Sequence, residues 1–133
     1  MEAMVAVGLL TLAIAAITSA IVAGQQQSLA AREQIVGSVA AESLLSTVAD
    51  EPWVTLNSWN GYQEDVGSIT DPTGMPVEGD WDRIGRDVRV EDAQVYIDSL
   101  EVFIQGQNIT VRSFNGDGAT LTTLERFVPE PQL

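Results

Sequence analysis

Glu2 is the first residue placed to do something specific. It is the one charge at the head of a long apolar run, and from Ala3 to Gly24 (AMVAVGLLTLAIAAITSAIVAG) no charged residue follows it. A carboxylate at a helix N-terminus has an ordinary use, since it complements the positive end of the helix dipole. Among apolar neighbours it would need a cationic partner, because a buried charge without one is costly.

Beyond Glu2 the sequence offers little reactive chemistry. It contains no His and no Cys. That removes the usual base and nucleophile pairs, disulfides, and ordinary zinc, haem or copper sites. Oxygen-ligand metals such as Ca²⁺ remain conceivable. Asn115 and Asp117 are the candidates for them, but Asn115-Gly116-Asp117-Gly118 reads first as a type I′-like hairpin turn. Aspartates and glutamates are scattered, with no pair singled out by spacing. The expectation is no enzymatic activity, no cofactor and no metal. Asn108-Ile109-Thr110 is an acceptor triplet for N-glycosylation, set inside an expected strand.

The 19 acidic residues outnumber the basic ones by 13, and the six basic residues are all arginines: Arg32, Arg83, Arg86, Arg89, Arg112 and Arg126. So acidic a chain repels nucleic-acid phosphates, and no nucleic-acid partner is expected. It also repels anionic lipid headgroups. The acidity serves solubility.

The element that must carry Glu2 is a helix. The 22 uncharged residues after it match the ~20 needed to cross a bilayer core of ~30 Å. Thr11, Thr18 and Ser19 can bond back to their own helix. A cleaved secretory signal is the first rival reading. The run lacks a basic start, its apolar core is too long, and Gly24-Gln25-Gln26 is a poor cleavage site. A plain anchor is the second. Against it, the helical pattern continues. From Gln25 to Val48 there is no Pro, and Gly37 is the one breaker. Apolar residues recur at Leu29, Ile35, Val36, Val39, Ala40, Leu44, Leu45 and Val48, at helical spacing. Asp50-Glu51-Pro52 ends the pattern. One continuous helix from about Glu2 to Ala49 follows, on the order of 70 Å long at ~1.5 Å per residue. Its first half is apolar all round, and its second half carries a stripe.

Two parts result: residues 1–50 as the long helix, with a transmembrane part at about 3–24, and residues 51–133 as a small domain. The domain opens with a connector, 52–82. Turn formers punctuate it at Asn60-Gly61, Asp71-Pro72, Thr73-Gly74 and Glu78-Gly79-Asp80. Trp53, Trp59, Tyr62 and Trp81 lie among them, as pins onto a core or as a binding platform. Strands are expected between about 86 and 128: Arg86–Glu91, Tyr96–Gln105 with Leu100, Val102 and Ile104 at period two, Asn108–Phe114, and Ala119–Val128. The tail 129–133 is not expected to continue a strand. An antiparallel sheet with one apolar face needs a cover, and the stripe of the helix supplies it. The fold class is α+β.

The stretch Glu2-Ala3-Met4-Val5-Ala6-Val7-Gly8-Leu9-Leu10-Thr11-Leu12-Ala13-Ile14 resembles the N-terminal helix of type IV pilins and type II secretion pseudopilins. Ala40-Ala41-Glu42-Ser43-Leu44-Leu45-Ser46 is similar to the minor pilin and minor pseudopilin branch, and the absence of a proline from the apolar run leans the same way. The resemblance covers residues 1 to about 50. It implies a pilin-like fold and a structural subunit of a type IV pilus-like filament or a type II secretion system. Glu2 would pair with the free N-terminal amine of a neighbouring subunit. The helix, with Val5, Leu9, Leu12 and Ala16, would pack in the filament core. The implied partners are other pilin or pseudopilin subunits, the inner membrane and assembly platform proteins. The implied location is the inner (cytoplasmic) membrane, single-pass with the C-terminal domain extracytoplasmic, and then the filament. The family also has a short basic leader ending in glycine, removed by a prepilin peptidase, and N-methylation of the new first residue. The chain starts at Met1 without that cleavage glycine or an aromatic first residue. Either translation begins upstream or the subunit lacks this processing. The alternative function is a single-pass anchored protein with a small extracytoplasmic binding module.

Overall fold

The computed structural model describes residues 1–132. Helix α1 runs unbroken over Glu2–Ala49, as the spacing predicts. Past Asp50-Glu51-Pro52 the chain re-enters a single helical turn, α2 (Trp53–Leu56), where Thr55 and Leu56 both bond back to the Pro52 carbonyl. Strands β1 (Gln63–Glu64), β2 (Ile84–Ile97), β3 (Val102–Asn115) and β4 (Thr120–Pro129) form one antiparallel sheet in the order β1-β2-β3-β4. The fold class is α+β, a long N-terminal helix with a four-stranded antiparallel sheet, a layout consistent with that of pilins. The chain divides into two compact units, Met1–Glu33 and Gln34–Leu133, so the division falls inside α1 and not after it. Residues 34–49 share the second unit because they bury side chains on the sheet.

The packed stripe keeps Val36, Ala40, Leu44, Leu45 and Val48 of the expected one and departs from it at the other positions. Gly37, Ala40, Ala41, Leu44 and Val48 are the buried residues of α1. Leu29, Ile35 and Val39 stay exposed at 63%, 64% and 50%. Small residues take the positions Gly37, Ala40 and Ala41, where they let the helix come close to the sheet. Gly37 shows this directly. A Cβ there would lie 2.9 Å from Leu121 Cβ and 3.1 Å from Ser113 Oγ. The expected helix breaker is a contact point. We expect Gly37→Val to destabilise the body by ~1–3 kcal/mol through overpacking. Denaturant titration of the full chain reads this out, and Leu121→Ala in the same chain should recover part of the loss.

Leu44 and Val48 meet Val88 and Val90 of β2 and Ile109 and Val111 of β3, with Leu56 closing the cluster. Val88 pairs with Val111 and Val90 with Ile109 across the strands. Each such side chain taken out of water contributes ~1.5–3 kcal/mol. Trp53 and Trp59 pack against this cluster, and Trp81 packs against a second one of Ala40, Ile69 and Ile84. These three tryptophans are therefore pins. Tyr62 sits edge-on to Trp59 at 4.8 Å.

Three sequence expectations in the sheet need correction. The expected strand Tyr96–Gln105 is interrupted, because the chain reverses between Ile97 and Val102. Leu100 is in that turn, and its N–H bonds to the Ile97 carbonyl. The expected break near Gly106 is absent, and Val102–Asn115 is one strand. Gly106 is a packing glycine here. The Phe127 ring of β4 occupies the space its Cβ would fill. Gly85 is covered in the same way by Phe114, its partner in the register. The expected hairpin at Asn115–Gly118 forms, but not with type I′ geometry. Gly116 and Asp117 have no positive φ and Gly118 has φ 80°, which makes a three-residue loop closed by a left-handed glycine. Asn115 Oδ1 accepts the N–H groups of Asp117 and Ala119, so it serves the turn.

Connector 52–82 carries more structure than its turn residues suggest. Gly61, at φ 85°, lays the chain along β2, with Gly61 N–H on the Val88 carbonyl and Val88 N–H on the Tyr62 carbonyl. Asp71 caps its own turn, accepting from Thr73 Oγ1 and from the N–H groups of Thr73 and Met75. Those bonds, the Thr73 hydroxyl first, hold the Asp71 carboxyl below its ordinary value. At the tail, β4 ends at Pro129, and Glu130 N–H still bonds to the Gln105 carbonyl. Leu133 lies outside the described residues.

The centre of the body also holds a buried ion pair. Arg86 and Glu64 have 5% and 6% of their side chains exposed. Arg86 Nε donates to Glu64 Oε2, Nη1 to the Ala40 carbonyl at 3.0 Å and Nη2 to the Thr70 carbonyl at 3.1 Å. Glu64 Oε1 accepts from Thr70 N–H and Oγ1. The guanidinium lies 5.8 Å from the centre of the Trp81 ring. One residue thus ties α1, β1, β2 and the connector together. Burial raises the Glu64 pKa, but Arg86 and the Thr70 bonds outweigh it and leave the carboxyl below its ordinary value.

Candidate assembly segment

The unit Met1–Glu33 is helix α1 before it reaches the body. A helix forms here because Ala, Leu and Val dominate and no proline intervenes. The polar interruptions are satisfied locally. Thr11 Oγ1 donates to the Val7 carbonyl and Thr18 Oγ1 to the Ile14 carbonyl, both at 2.8 Å. The segment is long and apolar enough to cross a membrane, by length and composition, and none of that window is buried within the chain.

The residues expected to serve self-assembly and the filament core lie on this segment. Glu2 occupies the first helical turn and is exposed. Val5, Leu9 and Leu12 are 62%, 64% and 69% exposed, and Ala16 is exposed as well. Their spacing of four, three and four residues places them along one side of the helix. Met4, Val7, Leu10, Ile14, Ile17 and Ile21 cover the remaining sides and are exposed too. In water such a surface would be strongly unfavourable, at ~25 cal/mol per Å² of apolar area. A soluble helix buries one stripe and turns polar residues outward, whereas one that is apolar all round belongs in an apolar surround.

The chemistry available to this segment is packing and one charge. Glu2 is the one acidic side chain at that end, beside the N-terminal amine of Met1 and the first turn's unsatisfied N–H groups. The body contributes further exposed apolar groups. Ile35 and Val39 lie on α1 beside the packed stripe. The β2–β3 turn carries Leu100 and Phe103, 66% and 64% exposed. This second patch was not legible as a surface, because the sequence placed Leu100 in a strand with an inward face.

Comparison with protein-family models, with curated proteins and with solved structures gives no match.

Proposed function

We propose that this chain is a structural subunit, of the minor pilin or pseudopilin kind, in a type IV pilus-like filament or a type II secretion apparatus. One observation carries the reading. A single 48-residue helix is apolar on all sides over its first part and packs a stripe from Gly37 to Val48 on an antiparallel sheet over its last part. A plain anchor has no use for an unbroken helical continuation into the body. A filament subunit does, because the same rod then joins a greasy bundle at one end and its own head at the other.

On this reading the segment of about 3–24 waits in the inner membrane with the body extracytoplasmic, and then moves into the filament core. Val5, Leu9, Leu12 and Ala16 pack against neighbouring subunits. Glu2 pairs with a neighbour's N-terminal amine, and the cost of leaving it unpaired in an apolar bundle fixes the axial register. Assembly platform proteins and other subunits are the partners, and a leader peptidase and N-methylation belong to the same scheme.

The test is Glu2→Ala. Membrane insertion should be unchanged, since the apolar run is intact. Incorporation into sheared filaments should fall at least tenfold or lose register, with Glu2→Gln little better. Normal incorporation of Glu2→Ala would overturn the role assigned to Glu2.

A further inference from the structure

The far end of the β2–β3 hairpin is exposed and apolar on both faces. β1 meets β2 at Arg86 and Asp87, and β4 pairs with β3 from Gly106 to Phe114. Beyond those points, residues 94–97 and 102–105 pair with each other. Among the described residues, no third strand pairs with them, and past the end of β4 the Glu130 N–H reaches the Gln105 carbonyl. Tyr96 and Phe103 face each other across the ribbon with ring centres 4.7 Å apart. They are 47% and 64% exposed on the side of the sheet that α1 covers elsewhere. Val95 and Val102, on the other side, are also exposed. A two-stranded ribbon is marginal in water by itself, and a contiguous exposed apolar patch marks a contact surface. At the turn Glu101 holds a positive φ of 50°, which a residue other than glycine rarely adopts.

The charges around this end have one sign. Glu91, Asp92, Asp98 and Glu101 surround it, and no basic residue lies between Arg89 and Arg112. An anionic bilayer is therefore a poor occupant, since the two carboxylates of the turn would enter first. A symmetric contact between two such ends is poor for the same reason, because it would set like charges against each other. The complementary surface is on the same molecule. A groove of about 480 Å³ opens beside β1 and β2, lined by Tyr62, Gln63, Asp87, Arg89, Thr110 and Arg112 among others. Arg112 is held there by Asp87. Arg89 is 71% exposed, and its closest ion-pair contact is a stretched one to Glu91 at 4.0 Å.

From this we infer that the hairpin end of one copy docks in the Arg89/Arg112 groove of a second copy. Leu100 and Phe103 enter the groove, and Asp98 and Glu101 meet the guanidinium groups at its rim. A head-to-tail contact of this kind leaves a free end and a free groove on every pair, so it propagates along a line of subunits. It uses none of the residues of the N-terminal segment. Its success or failure is therefore separate from the pairing assigned to Glu2.

The absence of cysteine from the chain makes a clean cross-linking test possible. Full-length Leu100→Cys and Gln63→Cys chains are reconstituted together in neutral-lipid vesicles and oxidised mildly. A mixed disulfide dimer should form in at least tenfold excess over the dimers that each variant gives alone. Adding Asp98→Arg and Glu101→Arg to the Leu100→Cys chain should reduce the yield at least tenfold, and Arg89→Glu in the Gln63→Cys chain should restore a substantial part of it. Dominant Leu100–Leu100 dimers would overturn the proposal in favour of a symmetric contact. Quenching of a Leu100→Cys fluorophore by a lipid-borne quencher, without mixed dimer, would overturn it in favour of the bilayer. Mixed dimer that ignores both charge reversal and salt would also overturn it.

Discussion

Replacing Arg86 with Met should cost the body ~3–5 kcal/mol, the range found when one partner of a buried ion pair is removed. The substitution keeps most of the side chain's length and apolar stem. What it removes is the charge that makes Glu64 tolerable. Glu64 would keep its bonds from Thr70 but would be left a buried carboxylate without a cation. The Ala40 and Thr70 carbonyls would lose their guanidinium donors as well. For a body of about 100 residues the melting temperature should fall by more than ~10 °C. The double variant Arg86→Met with Glu64→Leu should recover much of the loss, because a packed apolar pair avoids the desolvation of both charges. Thermal melts of the full chain and the two variants decide the matter, and an unchanged midpoint for Arg86→Met would refute the pair's structural role.

The same pair predicts a difference in pH dependence. In the wild type the folded-state pKa of Glu64 lies below its ordinary value of 4.5. Its contribution is therefore fully present above about that pH, and it is lost as the pH falls from there through the folded-state value. In Arg86→Met the largest lowering influence is gone, and burial remains with only the Thr70 bonds against it. The Glu64 pKa should then rise above the ordinary value, so that acidification protonates the buried group and relieves the variant. The stability gap between the two proteins should narrow as the pH drops from 7 toward 4. A gap that stays constant over that interval would contradict the assignment.

The second large effect concerns the other end of the chain. Leu12→Arg places a charge in the middle of the apolar run, where insertion scales assign ~2.5–3.5 kcal/mol to an arginine at the helix centre. That is roughly a hundredfold shift in partition, at ~1.4 kcal/mol per factor of ten. We expect the variant to lose membrane association in alkaline extraction, while the body keeps its melting temperature. Equal retention of the wild type and the variant would show that the segment is held by something other than apolar burial.

How much of this was legible in the sequence depended on whether the cause was local. Helix α1 was readable to its ends because an uncharged run, a helical repeat and Pro52 are all local signals. The Asn115–Gly118 hairpin was readable for the same reason, though its turn type was not, since one left-handed glycine and two make the same reversal. Gly106 misled, because glycine signals a break and a close approach with the same letter, and Gly37, though the helix was read through it, gave no sign of its contact with the sheet. Leu121 and Phe127, which fill the spaces beside them, sit far along the chain. The packed stripe of α1 was legible in part: Ala40, Leu44 and Val48 belonged to it, whereas Leu29, Ile35 and Val39 are exposed and Gly37 and Ala41 take part in the packing. Arg86 left one usable signal, since it shares alternation with Val88 and Val90 and so must point into the core. Its partner Glu64 left none, because the path of the connector decides where a carboxylate 22 positions earlier in the sequence arrives. Glu2 and the residues Val5, Leu9, Leu12 and Ala16 were legible as an exposed apolar segment. What they touch involves other molecules, and one chain's sequence carries that only as a resemblance.

The most direct measurement is a cysteine scan of residues 5–22 in sheared filaments, with disulfide yield read position by position. Subunits bundled through this helix should give yields that rise and fall with the helical repeat, high on the side of Val5, Leu9, Leu12 and Ala16, and lost in Glu2→Ala. Filaments that lack the protein, or yields that are flat along the segment, would contradict the account.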